Sequence, residues 1–211
     1  MKKRIKGSSA LKILLGIFFL FSIILPLLRM FLLMGETDVI ALVTSERFLL
    51  ALGNSFTVAA VSTVISVALA TVLAWCVARC RIWIRGVWML LLTLPMLIPS
   101  ISHGMGLVVL FGANGVLTNL FQMSGSIYGF WGIVTGSVLY SFPVAFLMIL
   151  DVLKYEDSTP YEAAAVLGIP KRRQISAITF PYLRRPMISA VFAVFTMVIT
   201  DYGVPLMIGG Q

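Results

Sequence analysis

Five long apolar runs constrain this chain more than any other feature. They fall at residues 11–34, 48–78, 87–111, 127–150 and 186–209. About 20 mostly apolar residues, rising 1.5 Å each along a helix, cross roughly 30 Å of hydrocarbon. No water is available there to bond backbone groups, so such runs fold as helices whose hydrogen bonds close within the segment. The expected fold class is therefore an all-α polytopic membrane protein with five transmembrane helices. Composition agrees: 60% of the 211 residues are hydrophobic and only 11% charged, against about 25% charged in soluble domains. Mean hydropathy is +1.03.

The opening MKKRIKGSSALKILLGIFF has the basic start and apolar stretch of a signal peptide. The apolar stretch continues to Met34 without an A-x-A-like cleavage site, longer than a typical signal core. It reads as a retained first span.

A net charge of +8 would raise the question of nucleic acid in a soluble chain. Here the basic residues cluster beside the apolar runs, where they orient a chain in a bilayer. Lys2, Lys3, Arg4 and Lys6 precede the first run, Arg79, Arg81 and Arg85 follow the second, and Lys154, Lys171, Arg172, Arg173, Arg184 and Arg185 follow the fourth. The alternate connections hold Glu36, Asp38, Glu46 and Arg47, then no charge from 112 to 126. The positive-inside rule puts the N-terminus and the long interruption at 151–185 in the cytoplasm, with the last span ending outside.

Within the spans, Pro95 and Pro99 in LPMLIPSISHGMG remove backbone donors and should kink or break the third helix. Broken membrane helices line transport sites or mark packing kinks, and both readings stand. The GIVTG stretch, Gly132 to Gly136, offers a small face for helix packing. Asn54, His103, Arg29 and Asp201 are polar residues that are costly in lipid unless they face protein or water. Arg29 can snorkel from the end of its span. Asp201, in TDYGVP, is either a functional group or an aspartate satisfied by neighbouring helices. Cys76 and Cys80 read as packing residues, since one histidine and no third thiol make no metal set. No metal site and no catalytic residue is expected.

The interruption YEAAAVLGIPKRRQISAITFP is charged and amphipathic. STPYEAAAVLG predicts a two-turn helix with Thr159 as N-cap, Pro160 at N1, Glu162 at N3 and a left-handed stop at Gly168. A second helix is expected from Pro170 to about Thr179, ended by Pro181. Lys171, Arg172 and Arg173 would then crowd its positive end, and Ile175 and Ile178 would face the membrane domain. Helices this short need something to dock on. Either they lie under lipid headgroups, or they engage a soluble partner.

The spacing E-A-A, three residues, G, nine residues, I-x-L-P resembles the cytoplasmic EAA loop of permease subunits of binding-protein-dependent ABC importers. It stands here as Glu162, Ala163, Ala164, Gly168, Ile178 and Pro181, with Phe180 in place of the usual leucine. The resemblance implies a bacterial inner-membrane permease of the multi-pass type, in which that loop forms a coupling helix seated on a cytoplasmic ATPase dimer. It implies three further partners: a periplasmic solute-binding protein, a second permease copy or fused second half, and the lipid bilayer. Nucleic acid is not among them. ATP and Mg would be used by the ATPase, since this chain has no G-x-x-x-x-G-K-[ST] loop and is expected to bind no cofactor.

The family commonly has one more span than the five found here, which reads as a truncated chain or the first part of a fused product. LPMLIPSISHGMG and TDYGVPLMIGG resemble the branch that handles ferric iron and 2-aminoethylphosphonate. If Pro99 starts a half-helix, Ser100 and Ser102 sit near its N-terminus, which favours an anionic group such as phosphonate. With His103, Asp201 and the adjacent Tyr202 they form the expected substrate path. Two other functions remain open from the sequence: an ion-coupled secondary transporter using Asp201 and His103 as a relay, and a non-transporting membrane anchor.

Overall fold

A computed structural model describes residues 5–35, 38–80, 83–122 and 127–209. Lys2, Lys3, Arg4, Glu36 and Arg81 of the charge pattern, the side chain of Lys6, and Gln211 lie outside the described residues. Every regular element among the described residues is helical. Among the described residues, five helices are long and apolar enough to cross a membrane: Leu11–Leu33, Glu46–Arg79, Ser100–Phe121, Phe130–Lys154 and Lys171–Ile199.

The chain divides into two compact units, Met1–Gly53 and Asn54–Gln211. In the first unit, Ile5–Phe19 continues through a π turn at Leu20–Ile24 into Leu25–Met34. Pro26 follows the wide turn by two residues, at a point where a missing backbone donor is tolerated. None of the membrane-length window in this helix is buried, Arg29 included. Asp38 then caps Val39–Val43, its Oδ1 accepting the Ala41 N–H at 3.0 Å.

The second unit is organised around Phe130–Lys154, whose membrane window is 61% buried against 22% to 33% for the other spans of this unit. Phe146, Ile149 and Leu150 on this helix meet Ala190, Val194 and Val198 of Phe180–Ile199 in one core cluster. Lipid tails are as apolar as leucine, so burial alone does not drive such helices together, and close packing must. The buried residues of Glu46–Arg79 are accordingly mostly small: Ala59, Ser62, Thr63, Ser66, Ala70 and Ala74, with Val67 and Val77 beside them. The Ser66 and Ser141 hydroxyls hydrogen-bond at 2.9 Å inside this packing.

The run at 87–111, expected to kink or break at Pro95 and Pro99, breaks into two helices. Arg85–Thr93 passes into a 3-10 turn at Leu94–Leu97, Ile98 and Pro99 are extended, and Ser100–Phe111 begins afresh. The last run is also divided. The helix ends at Ile199, and a separate short helix, Gly203–Ile208, follows the break at 200–202.

The expected stop at Pro181 does not occur. Lys171–Gln174 passes through a π turn at Ile175–Thr179 straight into Phe180–Ile199. The Phe180 N–H bonds the Ile175 carbonyl five residues back, and this wider turn absorbs the proline that follows. The same device serves Pro26. Of the cysteines, both free, Cys80 is exposed and does not pack, whereas Cys76 is partly covered.

Candidate functional site

Residues 155–181 form a tight structure at one end of the second unit. Its helix spans Thr159–Val166 and begins one residue earlier than expected, with Ser158 as N-cap. Asp157 causes the shift. Its Oδ1 accepts the Thr159 N–H at 3.0 Å and the Thr159 hydroxyl at 2.8 Å, drawing Thr159 into the first turn. Those bonds, the backbone one foremost, hold the Asp157 carboxyl below its ordinary value. The Thr159–Glu162 capping box is therefore replaced by Ser158, whose hydroxyl donates to Glu162 Oε1 at 2.9 Å.

At the other end Gly168 has φ +68°, the left-handed stop the sequence predicts. Ile169 N–H bonds the Ala164 carbonyl at 2.9 Å and Gly168 N–H bonds that of Ala165 at 3.0 Å, a Schellman closure. The alanines do not share one face. Ala164 is buried, while Glu162, Ala163, Val166 and Leu167 are exposed. Ile178 is partly buried and Pro181 exposed. Ile175, expected to face the protein, is exposed beside an apolar groove of about 270 Å³ lined by Trp75, Cys76, Phe180, Leu183 and Met187.

A polar network fastens this helix to its surroundings. Glu156 accepts the Tyr161 hydroxyl at 2.5 Å through Oε1 and pairs with Arg79 through Oε2. The Tyr161 hydroxyl also meets Thr179 Oγ1 at 2.5 Å, and its ring lies 5.0 Å beneath the Arg79 guanidinium. Burial, then the bond to Glu156, push the Tyr161 phenol above its ordinary value and keep it protonated. Sequence reasoning counted Arg79 only as an orienting charge and passed over Glu156, Tyr161 and Thr179. One signal was available: Glu156 is one of four acids, with Asp151, Asp157 and Glu162, on an otherwise basic side of the chain.

The second cluster lies where the two broken helices meet. The Ser100 hydroxyl donates to Asp201 Oδ1 at 2.5 Å, and Asp201 also accepts the N–H groups of Gly203, at 3.3 Å, and Val204, at 3.1 Å. The short helix Gly203–Ile208 sits in a cradle of glycines. A Cβ on Gly136 would lie 2.6 Å from Val204 Cγ1, one on Gly132 would lie 2.6 Å from Ile208 Cγ2, and one on Gly104 would lie 2.8 Å from Met207 Cβ. The Gly129 N–H closes the end of the helix on the Ile208 carbonyl at 2.9 Å.

Of the expected substrate path, only Ser100 and Asp201 are joined directly. Ser102 is exposed and Tyr202 is 73% exposed. His103 Nδ1 lies 3.3 Å from the Pro99 carbonyl, and its ring lies 6.3 Å from that of Tyr140. A cavity of about 120 Å³ between Asn54, Val58, Ile133 and Pro205 opens onto Asp201. Among the described residues no cluster of His, Cys, Asp or Glu could hold a metal ion.

The family described as binding-protein-dependent transport system inner membrane component matches residues 66–211, which include both clusters. The chain belongs to this family. Its relatives are transport permeases. It is 29% identical over 170 residues to the molybdenum transport system permease protein ModB of Azotobacter vinelandii, covering 79% of this chain and 75% of that protein. It is 28% identical over 131 residues to the thiamine transport system permease protein ThiP of Brucella abortus strain 2308, covering 60% of this chain and 24% of that one. Against the ferric transport system permease protein FbpB of Actinobacillus pleuropneumoniae, identity is 27% over 124 residues, 56% of this chain and 18% of the relative. The chain thus spans most of one relative and a quarter or less of the other two. As a binding-protein-dependent permease it is an inner-membrane component, and its multiple apolar helices fit that setting.

Proposed function

We propose that the chain is the membrane-spanning permease of an ATP-driven importer, taking solute from a periplasmic binding protein and coupled through residues 151–185 to a cytoplasmic ATPase dimer. The observation that carries this reading is the helix Thr159–Val166, closed by Gly168 and turned so that Glu162 and Ala163 face outward. Beside them Val166 is 89% and Leu167 75% exposed. An apolar pair this open at the end of a two-turn helix calls for a protein surface to cover it. In this reading Glu162, Ala163 and Gly168 meet the ATPase, the buried Ala164 and partly buried Ile178 face the permease, and Pro181 lies exposed beside them. ATP and Mg belong to the ATPase, and a second permease copy or fused half completes the path.

The N-terminus and the loop are cytoplasmic in this proposal, on the strength of the basic clusters. An ion-coupled relay is less favoured, because His103 and Asp201 hold different partners and the relatives are binding-protein-dependent permeases.

For the cargo we favour ferric iron over 2-aminoethylphosphonate. One relative is a ferric permease. Moreover, the start of Ser100–Phe111, where an anionic solute would gain most, already holds the Asp201 carboxylate. Uptake assays with radiolabelled iron and labelled phosphonate test this. Phosphonate uptake without iron uptake overturns the choice. The coupling role is tested with Glu162→Ala and Gly168→Val in reconstituted transporter. Normal assembly with normal uptake per ATP would rule it out.

A further inference from the structure

We infer that Arg79, Glu156, Tyr161 and Thr179 form a strut that carries movement of the helix Thr159–Val166 directly into the second and fifth spans, with Tyr161 as its hub. This rests on the coupling role proposed above and adds to it a route and a set of positioning residues. Chain connectivity alone would pass motion only to the helices on either side of the loop, Phe130–Lys154 and Lys171–Ile199. Arg79 is the last residue of Glu46–Arg79, and 77 positions separate it from Glu156. The strut therefore brings in a span that the loop does not touch through the chain.

The chemistry makes the four residues act together. The Glu156 side chain is 3% exposed. A buried carboxylate is tolerated only while paired and hydrogen-bonded. Arg79 neutralises one oxygen and the Tyr161 hydroxyl donates to the other, so moving either partner away leaves a buried charge exposed to its full desolvation cost. The guanidinium also stacks on the Tyr161 ring, and its charge lies at the negative end of its own helix. The cheap motion is therefore one in which Arg79 and Tyr161 travel together.

Thr179 completes the set through the π turn. Thr63, Thr71, Thr93, Thr135 and Thr200 each donate their hydroxyl to the carbonyl four residues back. For Thr179 that carbonyl is Ile175, and the π turn, in which it accepts the Phe180 N–H five residues on, changes the geometry of that position. The buried Thr179 hydroxyl faces Tyr161 instead. π turns of this kind recur at functional positions. Here one converts a helix-internal hydroxyl into a contact with the loop.

The test uses the full-length permease reconstituted in proteoliposomes with its ATPase and binding protein. Two quantities are read: complex assembled, and solute taken up per ATP hydrolysed. Arg79→Met, Glu156→Gln and Tyr161→Phe are each expected to lower uptake per ATP about threefold to tenfold, the range in which residues away from both sites modulate coupling. The double variant Arg79→Met/Glu156→Gln should be no worse than the poorer single, because the two act through one network. Arg79→Lys, which keeps the charge, should recover most of the loss. A purely structural role would reduce the amount of complex and leave uptake per ATP unchanged.

That outcome for Tyr161→Phe and Arg79→Met, with Gly168→Val still uncoupling, overturns the strut and leaves the coupling helix standing. If Gly168→Val and Glu162→Ala are also fully coupled, the coupling reading itself has failed. Should Arg79→Met yield no complex, Tyr161→Phe decides, since it removes a single hydroxyl and keeps the ring.

Discussion

Ser100 and Asp201, 101 positions apart, are joined by a 2.5 Å hydrogen bond at the point where two membrane helices break. Pro99 ends one backbone ladder, and the turn at 200–202 ends the other. The carboxylate also takes the N–H groups of Gly203 and Val204, so it satisfies donors that a new helix start leaves orphaned. Of the two readings the sequence left open for Asp201, an aspartate satisfied by its neighbours accounts for all three bonds. A carboxylate at membrane depth needs such donors.

Asp201→Ala should therefore act first on the fold. It strands the Ser100 hydroxyl and two N–H groups, each costing about 1–3 kcal/mol when buried without a partner. Ser100→Ala removes a single donor and should cost less. Thermal unfolding in detergent checks the order: Asp201→Ala below Ser100→Ala below the parent.

The glycine cradle gives a sharper comparison within one helix. A Cβ on Gly104 would lie 2.8 Å from Met207 Cβ, whereas one on Gly106 meets nothing within 4 Å. Gly104→Ala must push apart Ser100–Phe111 and Gly203–Ile208, and overpacking of this kind costs about 1–3 kcal/mol. Gly106→Ala should be neutral or stabilising by about 0.5–1 kcal/mol, since it stiffens a helical residue without a clash. A lowered melting temperature for Gly104→Ala and an unchanged or raised one for Gly106→Ala are the expected result.

Asp157 ties the start of the short helix to pH. Its carboxyl is held below its ordinary value by the Thr159 bonds, so the charged form favours the folded loop. That contribution is complete above the unfolded value of about 3.9 and is lost as pH falls through the lower folded value. Protection of the Thr159 amide, taken relative to its intrinsic exchange rate at each pH, should accordingly hold down to the ordinary carboxylate range and fall only beneath it. Asp157→Asn keeps an acceptor that does not titrate, and it should remove this dependence.

The helical class and the five apolar runs were legible in the sequence because lipid imposes them on any chain that crosses it. The Gly168 stop was legible too, since a left-handed residue after an alanine-rich turn favours glycine. What the sequence concealed was set by geometry between distant segments. Pro181 looked like a helix end, yet a π turn one residue upstream of Phe180 carries the helix past it, and nothing in ISAIT signals that turn. Thr159 looked like the N-cap until Asp157, two residues before it, took its N–H. The network around Tyr161 needs Arg79, Glu156 and Thr179 to converge from three helices or loops, and spacing along the chain carries no trace of that.

Neighbouring alanines in the loop separate docking from folding. Ala164 is 5% exposed, and a larger side chain there has no room. Ala164→Leu should destabilise the permease by about 1–3 kcal/mol through overpacking. Ala163 faces outward, so Ala163→Leu should leave the unfolding free energy of the isolated permease within about 0.5 kcal/mol of the parent, as surface changes generally do. If the ATPase seats on the face that carries Ala163, Val166 and Leu167, the same Ala163→Leu change must weaken co-purification of the ATPase and lower uptake. Full co-purification with Ala163→Leu, or a loss confined to Ala164→Leu, would place the ATPase on a different face of the helix.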